Sequence, residues 1–366
     1  MESRNVDLNA AASRALDSKR DVLAEAMTAL HYQLQPDLAV RYGEAGRAKC
    51  LQDAYYHLSY LADSIAADSP SLFADYVAWA KVMLGSRGIP AADLAVNLNV
   101  LRDVLRQHLP GDLALLATVY VESGLEQLPS LPAEVPSALQ EGEPLSSLAR
   151  RYIGALLAGE RHVASRLVLE AVAEQGVSVR DIYLHVFQPA QHEVGRLWQM
   201  NRLSVAQEHY CTAATQLIMS QLYPYLFSTE RNGHAMVATC VSGDLHEIGV
   251  RMVSDFFEME GWDTFYLGAS TPTPSLLQTL AQRRADVLAV SATLTSHVRA
   301  VTELIRAVRA SEAGEQVKIM VGGYPFNVAP ELWKQVGADA SARNAEDAIV
   351  TARRLADAPD SVGARR

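Results

Sequence analysis

Met236-Val237-Ala238-Thr239-Cys240-Val241-Ser242-Gly243-Asp244-Leu245-His246-Glu247-Ile248-Gly249-Val250 is the stretch on which the fold turns. Its first seven residues, MVATCVS, form an apolar, partly β-branched run of the kind that is buried on both faces of a sheet. A Ser-Gly-Asp loop follows, and residues 247–260 then take up helical periodicity. Downstream the rhythm repeats: TFYLG is strand-like, 274–284 helical, VLAVSA strand-like, 298–311 helical, KIMVGG strand-like and 346–357 helical. Strand and helix alternating over 235–358 predict an α/β, doubly wound, Rossmann-like domain with a parallel sheet.

Upstream of the polar TERNGH segment the pattern is helical. Helices are predicted over 145–158, 160–175, 178–200 and 204–227, separated by turns around Gly159, Gly176 and Asn201. Short connections between four such helices predict a four-helix bundle over 145–228 that caps the sheet domain. Ahead of it, LPSLPAEVPSALQEGEP places four prolines between Pro129 and Pro144, too many for a regular element, so 129–144 is read as a linker. Residues 20–128 carry Leu, Ala, Tyr and Val at helical spacing, with breaks at Pro70, Gly85 to Pro90 and Pro110-Gly111. The expectation is therefore a multidomain chain opening with an all-α domain over 1–128.

With 366 residues the chain exceeds one typical core. Its balance of 32 basic against 42 acidic residues, −10 in all, argues against direct nucleic-acid binding, which needs a clustered basic face. Only the terminal Ala364-Arg365-Arg366 is locally basic, and it reads as a frayed tail. Cys50, Cys211 and Cys240 are too scattered for a disulfide framework or a Cys-rich metal site, which favours a reducing compartment. The first residues lack a signal-peptide core, and no run approaches the ~20 apolar residues of a membrane span, so a cytoplasmic protein is expected.

In doubly wound sheets ligands bind beyond the carboxyl ends of the strands. Three segments lie there: Ser242 to Gly249 after the first strand, Ser291-Ala292-Thr293-Leu294 after the strand counted as fourth, and Gly322-Gly323-Tyr324 after the run KIMV, counted as fifth. A lone histidine in such a loop is more often a cap or surface residue than a ligand, and a Gly-Gly pair is often a turn. In this order and spacing, however, they resemble the D-x-H-x-x-G, S-x-[LT], G-G signature of cobalamin-binding domains. An imidazole suits a borderline cobalt ion, and Asp244, two residues before His246, can accept the other ring N–H and raise ligand basicity. The resemblance implies that His246 is the lower axial ligand of cobalt and Asp244 its support. It also implies that the cofactor's nucleotide tail enters the sheet beside the first helix, where Gly249, Ser291, Gly322 and Gly323 match the positions that permit its close approach and Ser291 and Thr293 would offer it hydroxyls.

The bundle narrows this expectation. Trp198 and Glu208-His209 form a W-x9-E-H pattern that resembles the cap of CarH/LitR adenosylcobalamin photoreceptors, which implies that Trp198 covers an adenosyl group while Glu208 and His209 hold it. Gln199 departs from that family, whose light-state histidine directly follows the tryptophan, and His192 or His209 are the alternatives. In the first domain, RYGEAGRAKCLQDAYYHLSYLADSI puts Arg47 near the middle of an apolar helix face, where a buried arginine needs an anionic partner. An internal carboxylate can serve. The domain also resembles the globin-like domain of photocobilins, which implies biliverdin as second chromophore, with Arg41, Arg47, Cys50, His57, Tyr60 and Trp79 as the candidate residues. The expectation is an adenosylcobalamin-dependent photoreceptor, not an enzyme, that is a homo-oligomer of light-dependent state with an unknown output protein. The alternatives are a corrinoid methyl-carrier subunit of a methyltransferase, a light-insensitive cobalamin-binding protein, or a mutase fragment, for which the substrate barrel is missing. Trp198 above the corrin weighs against methyl transfer.

Overall fold

The computed structural model describes residues 2–227 and 229–357, so the basic tail lies outside the described residues. Six helices come first: α1 Glu2–Ser18, α2 Arg20–Leu34, α3 Asp37–Ala66, α4 Pro70–Gly85, α5 Ala91–His108 and α6 Gly111–Gln127. Helix therefore begins before residue 20. The inward stripe of α1 is Asn9, Ala12, Ser13 and Leu16, half polar, which dilutes the apolar signal. Pro70 opens α4 at the first turn, where a missing N–H leaves no bond unmade. Helix α3 is kinked at Gly43, whose φ of +61° glycine tolerates.

No regular element occupies the proline-rich stretch. Four helical stretches follow: α7 Ser146–Leu157; α8 Arg161–Ala173; α9 Val179–Ile182 running through a π turn, Tyr183–Phe187, into α10 Gln188–Gln199; and α11 Val205–Leu222. The π turn lies just before Pro189, which has no N–H to continue the i→i−4 ladder.

The last part alternates: β1 Ala235–Cys240, α12 Ile248–Met259, β2 Asp263–Gly268, α13 Thr273–Arg283, β3 Val287–Ser291, α14 Val298–Arg309, β4 Lys318–Gly322, α15 Tyr324–Val328, α16 Leu332–Val336, β5 Ala340–Ala342 and α17 Ala345–Ala356. All pairings are parallel, in the order β2-β1-β3-β4-β5. The strands counted as fourth and fifth from the sequence are thus β3 and β4. The true fifth is a three-residue Ala-Ser-Ala edge with no β-branched residue to announce it.

Two compact units form, and neither is a single run of chain. One contains α1 to α6 together with residues 294–303 and 324–336; the other contains 134–293, 304–323 and 337 onward. In the first, Leu23, Met27, Leu58, Leu61, Phe73 and Leu101 share a core. Its borrowed segments are anchored by polar contacts: Arg299 donates to Asp17 at 2.6 Å, Asp63 at 2.8 Å and Ser13 at 3.0 Å, and the Tyr324 hydroxyl donates to Asp75 at 2.8 Å. In the second unit one face of the sheet, through Met236, Ala238, Cys240, Val287, Ala289 and Met320, shares a core with α12, α17 and the cap helices. A helical region and a parallel, Rossmann-like sheet domain are what the fold contains.

Candidate functional site

Strands β1 and β3 are neighbours with β2 on the far side of β1, so the chain reverses direction of sheet growth between them. That switch point opens a crevice at the carboxyl ends. Asp244 lies in it with no exposed surface. Its Oδ1 accepts from His246 Nδ1 at 2.7 Å and from the His246 backbone N–H at 3.0 Å, and its Oδ2 accepts from the Thr293 N–H at 2.7 Å. One buried carboxylate thus stitches the loop after β1 to the loop after β3.

With Nδ1–H donating to Asp244, Nε2 of His246 is left as a free lone pair on a ring whose side chain is 57% exposed. The hydrogen bond to Asp244 holds the imidazole pKa above its ordinary value; burial opposes this, and the charges of Asp244 and Glu208 reinforce it. An imidazole of raised basicity, fixed in tautomer and aimed outward, fits an axial ligand to cobalt.

The neighbouring positions divide into two kinds. A Cβ on Gly249 meets nothing within 4 Å, so open space adjoins the first turn of α12. A Cβ on Gly323, at φ +104°, would fall 2.0 Å from the Ala292 carbonyl oxygen, and one on Gly322 would fall 3.1 Å from that of Ala342. Close approach of the chain to itself therefore accounts for those two glycines. Ser291 pairs in register with Gly322, and the Ser291 carbonyl accepts from Val241 N–H at 3.0 Å.

In the cap, Trp198 packs half-buried against the shared core near the end of α10. Ser204 and Gln207 form a reciprocal capping box that starts α11. Glu208 follows at once, bonded to the exposed His209 at 2.5 Å and to Thr212 at 2.9 Å, and its charge is felt at His246. Gln199 is buried and His192 exposed. Missed from the sequence is Glu247, whose carboxylate accepts from Gln216, Tyr266 and the Ala269 N–H. It abuts the recognised histidine, but partners 31, 19 and 22 residues away leave no local signature.

In the helical unit the six residues read as a second site separate into two groups. His57, fully buried and lowered to about 4 by burial, bonds Tyr76 at 2.8 Å; Tyr60 stacks on Tyr76 at 4.0 Å, and Trp79 lies 6.3 Å from it. Cys50 instead contacts His31 at 3.6 Å, and His31 leads through Gln35 to Asp93 and Arg41. One expectation is corrected here. Arg47 is exposed, over the Tyr32 ring at 4.9 Å, because beyond the kink at Gly43 the buried stripe of this helix begins only at Ala54, two turns further on. Arg41 is ion-paired with Asp93 at 2.7 Å, so an internal carboxylate already answers its charge.

Two family models, each described as a B12 binding domain, match residues 235–353 and 148–223. The chain is a cobalamin-binding protein. It is 28% identical over 196 residues to dimethylamine corrinoid protein 1 of Methanosarcina mazei, covering 51% of this chain and 88% of that one. It is likewise 28% identical over 170 residues to dimethylamine corrinoid protein 2 of Methanosarcina acetivorans, covering 45% and 76%. The solved monomethylamine corrinoid protein of Methanosarcina barkeri superposes with a TM-score of 0.51 over 57% of this chain and 99% of that one, at 23% identity, a likeness of fold. These relatives overturn the photoreceptor expectation, with light-cleaved adenosylcobalamin, biliverdin and a light-dependent oligomer. With it goes the argument from Trp198 against methyl transfer, since the relatives are corrinoid proteins of methylamine systems. Among the described residues no helix is long and apolar enough to cross a membrane.

Proposed function

We propose that this chain is a corrinoid methyl carrier working with a separate methyltransferase. The observation that carries the reading is the Asp244–His246 pair at the switch point, tied by Thr293 and facing a helical cap. The likeness to methylamine corrinoid proteins supports it. A bound corrinoid supplies a cobalt that accepts and releases a methyl group. The protein's own residues do the rest. His246 Nε2 would ligate the cobalt; Asp244 fixes the tautomer and orientation of that ring; Ser291 and Thr293 would offer hydroxyls to the corrinoid's nucleotide tail. Activation of the methylamine belongs to the partner enzyme.

The test loads the purified chain with hydroxocobalamin, reduces it, and supplies a labelled methylamine with its methyltransferase. Label retained on the chain after gel filtration is expected, and it falls at least about tenfold in His246→Ala, the scale set by loss of a supporting ligand contact. A chain that holds cobalamin and takes up no label from mono-, di- or trimethylamine systems would sink the methyl-carrier reading.

A further inference from the structure

Glu247 follows the axial histidine in sequence but bonds elsewhere. Its Oε1 accepts from Gln216 Nε2 of α11 at 2.7 Å, and its Oε2 accepts from the Tyr266 hydroxyl of β2 at 2.8 Å and the Ala269 N–H at 3.1 Å. Burial drives the Tyr266 pKa upward, so that hydroxyl stays a donor. A Cβ on Gly268, itself at φ +78°, would come within 3.0 Å of Oε2, so the strand end is left bare to admit the carboxylate. Arg251, one turn into α12, adds a second tie, donating to the Gln216 carbonyl at 3.2 Å and to Ser220 Oγ at 2.9 Å.

Glu208, Thr212 and Gln216 are spaced by four residues and share one face of α11. Glu208 therefore lies about 12 Å along the helix from the Gln216 tie, at 1.5 Å per residue. Tyr210, Thr212 and Thr215 tie α11 to the other cap helices and their connections, through Gly159, Gln191 and Tyr152, whereas Gln216 and Ser220 tie it to the sheet domain. We infer that Glu247 is a positioning residue, a latch that sets the height of α11 above His246 and so how firmly cobalamin is held between them. This rests on the cobalamin reading, not on methyl transfer.

Four whole chains test it: wild type, E247A, Q216E and the swap E247Q/Q216E. In the swap, the amide oxygen introduced at position 247 still accepts from Tyr266 and Ala269, while the amide NH2 donates to the carboxylate introduced at position 216. Each chain is loaded with hydroxocobalamin, and the rate of cofactor loss into excess buffer is followed, with hydrogen exchange of 205–222 measured on the cofactor-free chains. Loss is expected to quicken about tenfold in E247A and Q216E, the order expected for removing a hydrogen bond to a charged group. The swap returns it to within about twofold of wild type, and exchange follows the same order. The spectrum of the fraction still loaded keeps its histidine-ligated form. Wild-type loss rates in E247A and Q216E, or a swap that behaves like Q216E alone, overturn the latch. If wild type retains no hydroxocobalamin, the cobalamin reading falls, and exchange in the cofactor-free chains alone then decides the latch.

Discussion

At the scale of single residues, the glycines show how one residue type serves opposite ends. Gly323 has no room: a Cβ would lie 2.0 Å from the Ala292 carbonyl at a φ of +104°. Gly323→Ala should cost about 3 kcal/mol or more of stability, since strain and clash add. Gly249 faces open space in a helix, so Gly249→Ala should stabilise the cofactor-free chain by roughly 0.5–1 kcal/mol. If that space receives the cofactor, the same change weakens hydroxocobalamin binding. Urea unfolding and equilibrium dialysis check the pair, and a Gly249→Ala chain that binds cobalamin as well as wild type would refute the tail placement beside α12. His246 and Asp244 were legible because their relation is local, two residues apart. The reason for Gly323 was not, because the clashing carbonyl belongs to the neighbouring strand's loop.

At the scale of elements, periodicity read 20–128 as helical without separating α2 from α3, and located the cap helices, the long helices of the sheet domain and four of the five strands. It missed α1, whose inward face carries Asn9 and Ser13, and β5, three small residues long. It also could not separate the π turn at Tyr183–Phe187 from ordinary helix, since both bury Tyr183, Val186 and Phe187. The start of α11 was read as a turn at Asn201, while the Ser204-x-x-Gln207 spacing that signals a capping box went unread. There the Ser204 hydroxyl accepts from Gln207 N–H at 3.3 Å, and Gln207 Oε1 accepts from Ser204 N–H at 3.0 Å. Ser204→Ala should cost about 1 kcal/mol. Fraying should fall on the first turn, which carries Glu208, and appear as faster hydrogen exchange at 205–208 with 216–222 unchanged. Uniform acceleration along α11 would contradict a local cap.

At the scale of the molecule, the helical unit is built from residues far apart in the chain, and a linear reading of domains cannot contain that. The arginine singled out from sequence, Arg47, is exposed, whereas Arg299, read only as part of an alternating pattern, anchors a buried carboxylate 236 residues away. Burial raises Asp63 from 3.8 to about 6, with Asp17 adding to the rise, while Arg299 and Arg20 pull it down. The folded chain therefore binds this proton more tightly than the unfolded one, so the Asp63 contribution to stability falls as pH climbs from about 4 to 6, and the full cost remains above that. Arg299→Met removes the main opposing charge, lifts the carboxyl further and extends the falling window upward. The variant should lose about 1–3 kcal/mol at pH 8, the cost of a buried group left without its partner, and distinctly less at pH 5. Asp63→Asn in the same chain should recover most of the loss at pH 8. Urea unfolding of the whole chain at both pH values decides it: an equal loss at pH 5 and pH 8 would mean that Arg299 acts through Asp17, which is ionised at both, or through packing of its stem, rather than through the charge of Asp63.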